Sequence, residues 1–142
     1  MNKSKNSLED FKVNVRIKLS ALWTSVMFCY IYGDYFELYI PNKFEGLLNG
    51  NNLLDSPMKL FAATFMLTIP ALMIFLSLIL RPKISRLLNI IWGTFFTLSM
   101  LIIAVSSLTH WQTFYVFLAV VESVITSLVI WQAWTWEKKS SI

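Results

Sequence analysis

Residues 87–121 read LLNIIWGTFFTLSMLIIAVSSLTHWQTFYVFLAVV, 35 positions without an Asp, Glu, Lys or Arg. A hydrocarbon core about 30 Å thick is crossed by roughly 20 residues of helix rising 1.5 Å each. The run is therefore too long for one crossing and too apolar for a solvated domain. Its polar interruption, Thr109-His110-Trp111-Gln112, is the natural hairpin. The stretch then divides into a span near 87–108 and another near 111–134.

Working outward, Leu60 to Leu80 gives another 21 residues without a charge. After Glu122, residues Ser123 to Trp136 are again uncharged. Leu19 to Gly33 is uncharged as well, and then Asp34 and Glu37 intrude before Pro41. These runs predict four spans, near 17–40, 58–80, 87–108 and 111–134, in one all-α domain covering 1–142. The fold expected is a four-helix transmembrane bundle. Composition agrees. The chain has 142 residues, 56% apolar and 14% charged, with mean hydropathy +0.60. Soluble domains hold about 25% charged residues, and disordered chains need low hydrophobicity.

Charge placement orients the bundle. Ten of the twelve Lys and Arg residues lie in three segments: Lys3, Lys5, Lys12, Arg16 and Lys18; Arg81, Lys83 and Arg86; Lys138 and Lys139. With four spans these segments share one side, leaving only Lys43 and Lys59 on the other. The positive-inside bias then puts the N- and C-termini in the cytoplasm. The net charge of +4 flanks apolar runs, so it does not point to nucleic acid.

Local signals mark the boundaries. Ser7-Leu8-Glu9-Asp10 resembles a capping box, opening either a short amphipathic helix with Leu8, Phe11 and Val15 on one face or a frayed tail. Ser56-Pro57 suits an N-cap followed by proline at the first helical position. The outer loop Pro41–Pro57 carries Phe44, Leu47, Leu48, Leu53 and Leu54, which predicts that it lies on the membrane surface or over the bundle mouth. The first apolar run lacks a small-residue cleavage site, so no cleavable signal is expected. Tyr39, Trp111 and Trp131 to Trp136 fit interfacial aromatic belts. Gly93, Thr97 and Ala104 are small enough for close helix contact.

The intramembrane polar residues are the candidates for function, because a charge in hydrocarbon costs about 2.5–3.5 kcal/mol on insertion scales. Glu122 lies 11 residues after Trp111, roughly 16 Å deep at 1.5 Å per residue and near the midplane. Pro70 falls at a similar depth in the second span and frees a carbonyl there. Trp23, Met27, Tyr30, Asp34 and Glu37 recur at spacings of 4, 3, 4 and 3, one helical face. Tyr115, Ala119, Glu122 and Thr126 form a second face. The two faces are expected to meet in a polar pocket open to the outer side, lined by Asp34, Glu122, Tyr30 and Tyr115, with Trp23 and Glu37 on the same stripe and His110 closing it from the hairpin.

Each residue has a plainer role beside the functional one. Glu122 and Asp34 can hold helices together through hydrogen bonds worth about 0.6 kcal/mol each. Glu37 suits an interface, His110 a solvated turn, and Cys29 a small apolar packing site. One Cys and one His exclude an internal disulfide, a cysteine zinc site and a multi-histidine metal site. No phosphate-cradling glycine loop, HExxH, CxxC or GxSxG is present. No catalytic residue, metal or cofactor is therefore expected, and the protein reads as a non-enzyme. The expected activity is binding or transport of a small cationic or polar ligand, or of protons. The alternative is an accessory or assembly subunit of a membrane complex. The bilayer is the expected partner, and a thin four-helix core favours a homo-oligomer.

The first span, Ala21-Leu22-Trp23-x3-Met27-x2-Tyr30-x-Tyr32-x-Asp34, resembles that of an uncharacterised family of small four-span prokaryotic integral membrane proteins, one of the domains of unknown function. The resemblance implies four helices, a location in the prokaryotic plasma (inner) membrane and a motif uniting Trp23, Tyr30 and Asp34. It implies no activity. Glu122 lies outside that pattern. Small multidrug transporters are similar in size and span number, but their key glutamate sits in the first span.

Overall fold

The structure, a computed structural model, describes residues 11–137. It is all-α, with no strand among the described residues. Helix α1 runs Val15–Glu37, α2 Lys43–Leu48, α3 Pro57–Ile79, α4 Pro82–Ser106 and α5 Thr113–Trp134, with a 3-10 turn at His110–Gln112 before α5. Among the described residues three stretches are long and apolar enough to cross a membrane: Pro57–Ile79, Pro82–Ser106 and His110–Trp134. Helix α1 equals α3 in length, at 23 residues, but Arg16, Lys18, Asp34 and Glu37 make it more polar.

The helix starts follow capping chemistry. Ser56 accepts from the Lys59 amide at 3.3 Å, with Pro57 at the first position of α3, as its sequence indicates. Helix α4 opens five residues before the charge-free run, because Pro82 is preset for a first turn. Its Lys83 and Arg86 lie at the rim, where long basic stems can reach out of the apolar zone. Helix α1 begins at Val15 with the Asn14 side chain accepting from the Arg16 amide at 3.0 Å. Residues 11–14 are not helical, so no helix carries Phe11 and Val15 on a common face. The Ser7–Asp10 capping box, Leu8, Lys3, Lys5, Lys138 and Lys139 lie outside the described residues. At the other end α1 stops at Glu37, short of Ile40, as the chain turns ahead of Pro41.

The long helices alternate in direction. Helix α4 packs along α5, α5 along α1, and α1 along α3, whereas α3 and α4 touch little. Leu19, Trp23, Val26, Met73, Phe96, Val129 and Ala133 form the main core. Met100, Ala104 and Ala119 form a smaller one toward the hairpin end, and Tyr30 packs against both. Phe61, Phe65, Ile102, Val105 and Phe117 are each at least 60% exposed, as lipid-facing side chains are. Lipid is as apolar as Leu, so helix association rests on close packing and buried hydrogen bonds. Gly93 supplies the first: a Cβ there would come within 2.9 Å of Ile130 Cγ1. Thr97 donates to the Thr126 hydroxyl at 2.7 Å and tightens the same α4–α5 seam.

The basic end is tied by arginines. Arg16 of α1 donates to the Leu78 carbonyl at 3.0 Å, and Arg86 of α4 to the Trp134 carbonyl at 3.1 Å. Each guanidinium thus meets the negative, donor-poor C-terminus of the neighbouring antiparallel helix.

Candidate functional site

The inward faces of α1 and α5 meet at a small cavity near the middle of α5. Asp34, Tyr30, Glu122 and Tyr115 line it, together with Cys29, Gly33 and Met100. Glu122 is 3% exposed. Asp34, one turn before the end of α1, is exposed and stands at the cavity's outer edge. The Tyr30 hydroxyl is buried and meets no hydrogen-bond partner among the described residues. The enclosed volume is about 10 Å³, close to the minimum that one water needs. An organic ligand does not fit in it.

A second space of about 230 Å³ lies toward the hairpin end, lined by Glu37, Leu53, Ile103, Gln112, Phe114 and Tyr115. Tyr115 borders both spaces. Leu53 from the 41–57 loop lines this space, yet it is 80% exposed, so the loop lies at the edge of the bundle. Inward of Glu122, the next turn of α5 presents Thr126, which is fully buried and donates to the Glu122 carbonyl at 2.8 Å.

A model described as Family of unknown function (DUF6326) matches residues 8–142. The chain belongs to that family. No curated protein and no solved structure matches it.

Three sequence candidates lie outside the cavity of this DUF6326 chain. Trp23 shares the helical face of Tyr30 and Asp34, but 11 residues separate it from Asp34, roughly 16 Å along the axis. Its indole instead donates to Asn89 Oδ1 at 2.7 Å. Glu37 lines the second space, a vestibule at the hairpin end, and forms an ion pair with Lys43. His110 is exposed in the 3-10 turn with its ring beside Trp111, and lines neither space. Pro70 is buried in α3 but does not line the cavity either. Cys29, read as a packing residue, is half-buried at the cavity wall.

Sequence reasoning missed a polar cluster in the other half of the bundle. Asn89, Ser77 and Ser85 are fully buried. Asn89 Nδ2 donates to the Ser85 carbonyl at 2.8 Å and the Ser77 hydroxyl at 3.2 Å. Asn89 Oδ1 accepts the Trp23 indole, so α1, α3 and α4 are joined at one amide. The signal was available, since Asn89 is the lone Asn in the 87–121 run. Among the described residues no group of His, Cys, Asp and Glu is placed to hold a metal ion.

Proposed function

We propose that this is a four-span protein of the prokaryotic plasma membrane, with both termini cytoplasmic, that takes protons from the outer side and passes them through the Asp34–Glu122 pair. The observation that carries this reading is the cavity: two carboxyls and an unpartnered tyrosine hydroxyl around a space the size of one water. The size favours protons over a larger cationic or polar ligand. A bare carboxylate at the midplane costs several kcal/mol, and an arriving proton removes that cost. The vestibule admits water as far as Tyr115. Asp34 at the edge receives the proton, a bridging water or the Tyr30 hydroxyl relays it, and Glu122 holds it. The Thr126 and Thr97 hydroxyls continue the polar line inward. The role is non-enzymatic.

The test is proton flux in liposomes bearing the purified protein, read with an internal pH dye under an imposed gradient. Wild type is expected to dissipate the gradient faster than protein-free liposomes, and Glu122→Gln to return the rate to the protein-free level. Equal rates for wild type and Glu122→Gln would overturn the proposal.

A second reading, as a subunit of a membrane assembly, draws on a groove of about 510 Å³ between α4 and α5. Ser123 and Ser127 border it, and small hydroxyl side chains allow a neighbouring helix to approach closely. Purification in mild detergent separates two forms of this reading: a stoichiometric second polypeptide, or a particle of two or more copies of this chain. A monomer would count against both.

A further inference from the structure

At the end of the bundle opposite the vestibule, the starts of α1 and α4 and the end of α5 surround a recess of about 670 Å³. Arg16, Lys83 and Arg86 line it, with Trp136 and Glu137. Among the described residues three cations thus face one acid, and Glu137 is 4.0 Å from Lys12. The outer end is different. There Lys43 pairs with Glu37 and Lys59 with Asp55, so its cations are compensated.

We propose that this recess binds the phosphodiester headgroup of an anionic bilayer lipid. Three features of the recess point to that chemistry. Arg16 and Arg86 are half-buried, and each is fixed by one hydrogen bond to a helix-terminal carbonyl. A guanidinium has five N–H donors in a planar fork, so each keeps donors that can face a phosphate. The N-terminus of α4 opens on the same recess, and its N-cap residue Arg81 forms no side-chain cap. Pro82 has no N–H and the Ser85 amide bonds the Arg81 carbonyl, which leaves the Lys83 and Ile84 amides as donors beside a favourable dipole. Trp136 packs partly against the main core, as an amphipathic ring does at headgroup depth.

The surroundings favour a lipid over a soluble phosphate. Ile17, Ile84 and Leu87, each the next residue along the chain from one of the three cations, are 55%, 48% and 58% exposed. They offer apolar contact for acyl chains below a headgroup held by Arg16, Lys83 and Arg86. Basic pockets between spans on the cytoplasmic side commonly take anionic headgroups in this way. The recess lies at the far end from the acidic cavity, so the inference stands independently of proton passage.

The test is lipid retention by the full chain in mild detergent, read by native mass spectrometry. Phosphatidylglycerol and phosphatidylcholine with identical acyl chains are added at equal concentration. Phosphatidylglycerol is expected to be retained preferentially, and Lys83→Gln to weaken its binding by about fivefold, the effect of one basic residue near an anionic surface. Arg86→Gln should weaken it as well, but it also removes the contact to Trp134. Lys83 is exposed and makes no such contact, so Lys83→Gln is the deciding variant, with circular dichroism confirming its fold. Equal retention of the two lipids, or unchanged phosphatidylglycerol binding in Lys83→Gln, would overturn the proposal. Displacement of the lipid by equimolar inorganic phosphate would also overturn it, by showing a soluble-anion site.

Discussion

The Trp23 indole donates to Asn89 Oδ1 at 2.7 Å, and neither side chain is exposed. This bond separates two roles that share one face of α1. The inner half of the face is a closed polar staple, while the outer half opens on the acidic cavity. The tryptophan of the first-span pattern therefore acts as a helix tie, and the tyrosine and aspartate border the site.

Replacing Asn89 by Ala should be more destabilising than an average intramembrane hydrogen-bond deletion of about 0.6 kcal/mol. The substitution leaves the Trp23 N–H without its acceptor and the Ser77 hydroxyl without its amide donor, and unpaired buried groups cost about 1–3 kcal/mol each. Thermal unfolding in mild detergent checks this. Thr97→Ala, which loses one hydroxyl contact to Thr126, serves as the lighter comparison. An Asn89→Ala protein no less stable than Thr97→Ala would contradict the staple.

Gly93→Ala should destabilise by about 1–3 kcal/mol, the usual cost of overpacking, because the new methyl meets Ile130 Cγ1 at 2.9 Å. Adding Ile130→Ala should recover part of the loss. Unfolding of the two single variants and the double variant measures this coupling directly. Additive single effects would mean that the α4–α5 seam yields elsewhere.

Topology can be read from the ends of α3. Lys59 stands in its first turn, and Lys83 follows it across the tight turn at Arg81. In a Cys29→Ala background, Lys59→Cys should react with an impermeant thiol reagent in intact cells. Lys83→Cys should react only after the membrane is opened. The reverse pattern would invert the bundle, and labelling of both in intact cells would exclude the crossing by α3.

Tyr30→Phe separates relay from packing. Removing an unpartnered buried hydroxyl should leave thermal stability unchanged or slightly raised, since no protein hydrogen bond is lost. Proton flux should nevertheless fall. Glu37→Gln provides the contrast, because it breaks a partly exposed ion pair with Lys43 that is worth less than about 1 kcal/mol, and flux should persist. Full flux in Tyr30→Phe would remove the hydroxyl from the relay.

How much was legible in the sequence depends on the range of the signal. Helices α3, α4 and α5 were legible because charge-free length is a local property. The charge-free run begins at Leu87 whereas α4 begins at Pro82, because charge marks the edge of the apolar zone and the long stems of Lys83 and Arg86 still suit a helix end. Tyr30, Asp34, Tyr115 and Glu122 were brought to one pocket because period 3.6 places each pair inward at matching depth. Trp23 shares the face of Tyr30 and Asp34 but lies about three turns from Asp34 at 3.6 residues per turn, where its indole meets Asn89 instead. The vestibule was illegible, because Leu53 from the outer loop and Ile103 from α4 meet only in the folded chain. The Asn89 cluster depends likewise on Ser77 and Ser85 flanking the α3–α4 turn.

Infrared difference spectroscopy of the reconstituted protein, recorded as the outer pH is stepped, tests most directly whether Glu122 exchanges protons with the outer side. A carboxyl band that changes with outer pH in wild type and is missing in Glu122→Gln is the expected result. A carboxyl spectrum with no outer-pH response, or one identical in wild type and Glu122→Gln, would contradict the account and leave Glu122 as a structural group.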